Sequence, residues 1–194
     1  MKQEVRIAIQ DIHRELVDGL RSGDRSAQYE IYKRYHKAMF NTCLRIVGNI
    51  HEAEDIMQES FLDAFVKIDQ FQGESTFGSW LKRIVINKSL DALRKDKEWM
   101  SLEESNIDVP EEKDDYNEEE ITYQILEVKN TLNQLPSEYR IILSLYLLEG
   151  YDHEEISQIL GISYNNARTR YSRAKQKLLS LLAARRRMAG MIRN

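Results

Sequence analysis

The chain has little of what breaks or staples a fold. Of its 194 residues, two are proline and eight are glycine. So few breakers leave long uninterrupted stretches and predict mostly helix. Cys43 is the only cysteine. A single thiol excludes an internal disulfide and a thiolate cluster for a metal, and within a helical pattern it reads as a small buried apolar residue. No apolar run approaches the roughly 18 residues needed to cross a bilayer. The opening MKQEVRIAIQDIHREL mixes charges throughout and has no apolar core of the signal-peptide type. These absences predict a cytoplasmic chain. The sequence is equally poor in enzyme chemistry. His13, His36, His51 and His153 lie far apart, with no ligand spacing. There is no phosphate-binding glycine loop and no nucleophile motif. Asp55 and Glu59 share a helix face, but no metal-binding partner accompanies them. No catalytic residue, metal or cofactor is expected.

What is present is segregated charge. The net charge of -4 conceals two blocks of opposite sign. Residues 98–120 carry eleven acids and one lysine. Residues 161–194 carry nine Arg or Lys and no acid. Each block is long enough to be a separate surface, and the basic one has the footprint of a polyanion binder.

Periodicity divides the chain further. Residues 1–97 read as four helices, at about 8–21, 25–47, 51–70 and 76–95. Ala27, Ile31, Tyr35, Ala38, Met39, Thr42 and Ile46 recur at helical spacing in the second. Residues 98–120 lose the pattern; acids, Ser, Asn and Pro110 dominate. This reads as a flexible linker with too little apolar surface to offset the entropy of ordering. Periodicity returns at about 121 and continues to about 184, and Pro136 suits the first turn of a helix. The expected fold is all-α, two small helical domains (1–97 and 121–194) joined by the acidic segment 98–120.

Three stretches carry chemistry. In HEAEDIMQESFLDAFVKI, residues 51–68, Ala53, Met57, Phe61, Ala64 and Ile68 share a core face. Opposite them lie Asp55, Gln58, Glu59, Leu62 and Val66. That stripe is either a polar face with two stray aliphatics or a docking surface, carboxylates for a partner's cations and aliphatics for its apolar rim. In FQGESTFGSWLKRIVINK, residues 71–88, Gly73 permits a sharp turn and Ser75 or Thr76 can cap the next helix. Arg83, Asn87 and Arg94 then share a face, with Trp80 at its edge. Cations bind phosphates, rings stack on unpaired bases and an amide reads base edges, a combination suited to single strands. Solvated cations over a core Phe77 and Trp80 are the plainer alternative.

The third stretch is HEEISQILGISYNNARTRYSRAKQKL, residues 153–178. A short helix ends at Gly161, Ile162 plugs the core, and a second helix from about 164 buries Ala167, Tyr171, Ala174 and Leu178. This is the pattern of a helix-turn-helix, whose second helix enters the major groove. Asn165, Asn166, Arg168, Thr169, Ser172 and Arg173 lie off the buried stripe, with side chains that fit base edges. Arg170, Lys175 and Lys177 flank them and would grip phosphate. Arg185-Arg186-Arg187 would add non-specific attraction.

In this order and length, the three stretches resemble the small bacterial RNA polymerase sigma factors of the extracytoplasmic-function type, which carry only sigma regions two and four. The resemblance spans residues 10–182. It implies that Asp55, Gln58, Glu59 and Leu62 dock on the clamp helices of core RNA polymerase. It implies a pocket for a base flipped out of the minus-ten element, built by position from Phe71, Ser75, Lys82, Ile84 and Asn87, with Trp80 and Arg83 in support. It implies minus-thirty-five recognition at Arg168, Thr169, Ser172 and Arg173. Implied partners are core RNA polymerase, promoter DNA and an anti-sigma factor, often membrane-anchored. Two rivals remain: a stand-alone helix-turn-helix regulator with an N-terminal sensor or dimerisation block, and a nucleic-acid-processing enzyme. The first leaves the Asp55/Gln58/Glu59/Leu62 stripe unexplained, and the second lacks a metal site or catalytic dyad.

Overall fold

The computed structural model describes residues 14–95 and 127–192, with side chains to 185 in the last helix. The acidic segment expected to link the domains lies outside them. The chain divides into two compact units, Met1–Lys95 and Asp96–Asn194. The described residues form helices and turns, with no strand among them.

In the first unit, α1 covers residues 14–21, α2 Arg25–Val47, α3 Ile50–Val66 and α4 Phe77–Lys95. Each start has a local cause. The Asp24 carboxylate accepts the Ser26 N–H at 2.8 Å and opens α2. Asn49 does the same for α3, accepting from the His51 and Glu52 amides. Of the two candidates for α4, Thr76 is the cap: its Oγ1 accepts from the Ser79 amide at 3.2 Å. Helix α3 stops at Val66, short of the expected residue 70. Lys67 leaves the helical region at φ -99° and ψ 18°, and a 3-10 turn, Ile68–Gln70, follows.

The core of this unit joins α2, α3 and α4 and contains Ile31, Met39, Cys43, Ile46, Phe61, Leu81, Val85 and Leu90. All five residues of the expected α3 core face are buried. Ala38 is exposed and Tyr35 half-buried, so the α2 core stripe is narrower than its periodicity suggests. The helices lie close where side chains are small. Ser60 and Ser89 are fully buried, each turning its hydroxyl onto a carbonyl of its own helix. A Cβ on Gly78 would stand 2.8 Å from the Tyr35 ring, so glycine is what lets the start of α4 approach α2. Cys43 is completely buried, and burial pushes its thiol up to about 11.

In the second unit, α5 covers residues 127–132, α6 Ser137–Leu147, α7 His153–Leu160 and α8 Tyr164–Ile192. Pro136 stands at the N-cap of α6, one residue before the first helical position. Asp152 and Glu155 form a reciprocal capping box at α7. Gly161 ends α7 at φ 69°, a left-handed conformation that costs other residues roughly 1–2 kcal/mol. Ile141, Ile142, Leu145, Ile156, Ala167 and Ala174 fill the core. Ile162 is half-buried, a partial rather than complete plug. Helix α8 continues eight residues past the expected end at 184, because no proline interrupts it.

Candidate functional site

On α3 the core face and its opposite separate cleanly. Asp55, Gln58 and Glu59 are exposed, and so are Leu62 at 64% and Val66 at 82%. Two exposed aliphatics in line with two carboxylates and an amide make an amphipathic surface. The sequence does not disclose how this stripe is held. Lys88 of α4 reaches across to Glu59 at 3.2 Å and Asp63 at 3.3 Å, and Lys67 takes Asp63 at 3.1 Å. Burial pulls the Lys88 ammonium down, but the hydrogen bonds and charges of the two carboxylates outweigh it and leave it above its ordinary value. Asp63 is held below the usual carboxylate range, chiefly by the Lys67 hydrogen bond.

The loop into α4 is pinned from below. Phe71, Phe77 and Trp80 pack with ring centres 5.5–5.7 Å apart, and Tyr35 closes on Phe77 at 5.9 Å. Arg21 Nη2 donates to the Phe71 carbonyl at 2.9 Å. The Phe71 ring is 8% exposed, so it serves as packing beneath the loop. Trp80 is half-buried and keeps an open edge. Ser75, Arg83 and Asn87 are exposed; Lys82 and Ile84 are half-buried. Arg94 is exposed and bridges Asp91 at 3.0 Å. The structure thus brings Trp80, Arg83 and Asn87 to one open side of α4, above the buried rings.

In the helix-turn-helix, Ser163 accepts the Asn166 amide on its Oγ at 3.2 Å and opens α8. Asn165, Arg168 and Lys175 are exposed; Asn166, Thr169, Arg170, Ser172 and Arg173 are half-buried. Several are committed locally. Arg170 Nε donates to Asn166 Oδ1 at 2.8 Å, and Thr169 Oγ1 donates to the Asn165 carbonyl at 2.9 Å. Burial pushes the Glu138 carboxyl of α6 up, and the Arg170 charge opposes this. Arg185 donates to Thr131 Oγ1 at 3.3 Å, tying α8 back to α5 instead of standing free.

Residue-by-residue reading missed an aromatic platform here. His153 stacks on Tyr146 at 4.8 Å, and Tyr171 lies 4.4 Å from Tyr146 and 5.0 Å from His153. Tyr164 extends the group, 6.5 Å from His153, and Arg168 lies over its ring at 5.9 Å. The spacing of Tyr164 and Arg168, one helical turn apart, was the available signal.

An amphipathic acidic face, an aromatic-floored basic helix and a helix-turn-helix define an all-helical transcription protein that handles DNA. Known proteins narrow this. The family description "Sigma-70 region 2" matches residues 31–98, and "Sigma-70, region 4" matches residues 125–178. The ECF RNA polymerase sigma factor SigW of Bacillus subtilis is 33% identical over 170 residues, 82% of this chain and 90% of its own. The RNA polymerase sigma-H factor of Pseudomonas aeruginosa is 28% identical over 184 residues, 87% and 93% of the two chains. Among solved structures, CnrH in complex with the cytosolic domain of CnrY shares the fold with a TM-score of 0.55 at 24% identity, over 89% of this chain and 97% of that one. The sigma factor RpoE of Bartonella quintana, in complex with the anti-sigma factor NepR, shares it at 0.54 and 22%, over 80% and 96%.

The chain belongs to the extracytoplasmic-function group of the sigma-70 family. It joins core RNA polymerase and directs initiation of transcription at promoters. The family is one of initiation factors without enzymatic activity of their own. Among the described residues no group of His, Cys, Asp and Glu could hold a metal ion, and no helix is long and apolar enough to cross a membrane.

Proposed function

We propose that the two units divide the work of promoter selection along the surfaces described above. The first, residues 1–97, docks on polymerase through Asp55, Gln58, Glu59 and Leu62, and captures the minus-ten strand over α4. Ser75, Trp80, Ile84 and Asn87 line the base pocket, while Lys82, about 140° round α4 from Asn87, stands outside it. Arg83 holds the backbone, and Phe71 supports the pocket from beneath. Unstacking a base costs a few kcal/mol, which the pocket must offset. The second, residues 121–194, reads the minus-thirty-five duplex. Asn165, Arg168, Thr169, Ser172 and Arg173 reach base edges, Asn166 and Arg170 brace the helix start, and Lys175 takes phosphate. The chain performs no chemistry itself and works in the cytoplasm.

The observation that carries this reading is the exposure of Leu62 and Val66 in line with Asp55, Gln58 and Glu59. A stand-alone regulator could use that face only to dimerise, and the sigma-70 family match over both units disfavours it. An inhibitory partner is part of the same reading: the Bartonella quintana protein of like fold is found in complex with an anti-sigma factor. In-vitro transcription with bacterial core polymerase on a promoter library tests the reading. Start sites that depend on the added chain are expected. Tight operator binding by the chain alone, with no start-site selection, would overturn it.

A further inference from the structure

The acids of α3 crowd one another. Between its ends α3 has five, Glu52, Glu54, Asp55, Glu59 and Asp63, and no Lys or Arg. Asp55, Glu59 and Asp63 follow at intervals of four, and like charges at that spacing repel. The cation that stands between two of them comes from another helix. Lys88 Nζ of α4 lies 3.2 Å from Glu59 Oε2 and 3.3 Å from Asp63 Oδ2. Lys67, one turn past Asp63, takes the same Asp63 oxygen at 3.1 Å. Lys67, Asp63, Lys88 and Glu59 thus form an unbroken chain of alternating charge, from just past the end of α3 to the middle of its exposed stripe.

This chain of charges is anchored at Lys88 and open at Glu59. The Lys88 side chain is 27% exposed and that of Glu59 67%. Ser60 and Ser89, the residues that follow Glu59 and Lys88, are fully buried, so the bridge runs along the rim of a close helix contact. Lys88 engages only Oε2 of Glu59; Oε1 has no partner among the described residues. An exposed pair of this kind contributes little to folding. What it fixes is a direction. An unheld glutamate samples several rotamers, and a partner that binds it must freeze them.

We infer that Lys88 is a positioning residue for polymerase docking: it holds Glu59 in one orientation, with one carboxylate oxygen bridged and the other offered to a cation of the polymerase. Standing between Glu59 and Asp63, it also offsets their repulsion, so both stay ionised one turn apart. A clasp that withheld Glu59 from a partner would engage both oxygens; the ammonium holds one. Lys88 itself lies on α4, off the stripe that meets the polymerase, and acts through Glu59. The inference rests on α3 being the docking face.

The test titrates bacterial core RNA polymerase with the full chain carrying Lys88→Gln. Affinity should fall about two- to twelvefold, the cost of freezing one more side chain on binding. Lys88→Arg, which keeps the charge, should restore most of it. In a Glu59→Ala background Lys88→Gln should change nothing further, because the group it positions is gone. A general loosening of the first unit would instead lower affinity alike in both backgrounds. Three results overturn the proposal: unchanged affinity in Lys88→Gln, a gain that makes Lys88 a competitor for Glu59, or an equal loss with and without Glu59. Glu59→Ala alone separates the premise: full core affinity in that variant would sink the docking reading of α3, whatever Lys88 does.

Discussion

Asn87 stands exposed on α4 with no hydrogen bond drawing its amide elsewhere among the described residues. Removing that amide should impair strand separation more than initial binding. Asn87→Ala is expected to reduce permanganate reactivity of the open complex while leaving the closed complex, read by gel shift, near its original affinity. Equal losses in both would count against a base pocket. Arg168 is poised differently, over the Tyr164 ring. Arg168→Ala should cost about 1 to 3 kcal/mol at one base pair of the upstream element. Tyr164→Ala should blunt the same preference by releasing the guanidinium; a loss uniform across sequences would place Arg168 on phosphate. Single residues are also where the sequence said least about surroundings. Phe71 and Arg170 have side chains that suit DNA, yet one is folded under a loop and the other is tied to Asn166. Periodicity places a residue on a face but does not say which neighbour it meets first.

At the level of elements the sequence was far more legible. Both ends of α2, the start of α4 and the α7–turn–α8 unit follow from caps and glycines that are visible in the chain. The end of α3 was not visible, because the 3-10 turn keeps apolar spacing through Ile68 while the helix has already stopped. The α2–α4 approach depends on a glycine inside a helical pattern, which sequence alone marks only as a cost. Gly78→Ala would drive a methyl into the Tyr35 ring and should destabilise the first unit by about 1 to 3 kcal/mol, read from its thermal transition. An unchanged transition would mean that the two helices separate without strain. The α6–α7–α8 contact carries a titration as well. Burial, then the Arg168 charge, holds His153 below its ordinary value, with Asp152 opposing. The unfolded chain therefore binds the proton more readily. Stability of the second unit is present above the ordinary histidine value and declines as pH falls through it and below. Melting followed from pH 7.5 to 5 should show that decline, and His153→Phe should flatten it. A parallel decline in the variant would assign the effect to other groups.

Over the whole molecule, separation of charge is the organising fact. Gln58→Ala with Glu59→Ala should abolish capture of core polymerase while leaving both units folded. Lys88 keeps Asp63 at 3.3 Å when Glu59 is gone, so no buried charge is stranded. Full retention of polymerase by the double variant, in a pull-down, would remove the docking role. The charge of each block and the helical character of the described residues were readable in advance. The Lys88 bridge was not, because it joins residues 29 positions apart and no periodicity couples them. The one thiol has a practical corollary. Cys43 is sealed between helices and stays protonated at neutral pH. Thiolate-directed reagents will pass it by. A cysteine introduced on each unit can therefore take a maleimide dye without first removing the native one. Energy transfer between two such dyes would report how far apart the units travel as the factor loads onto polymerase.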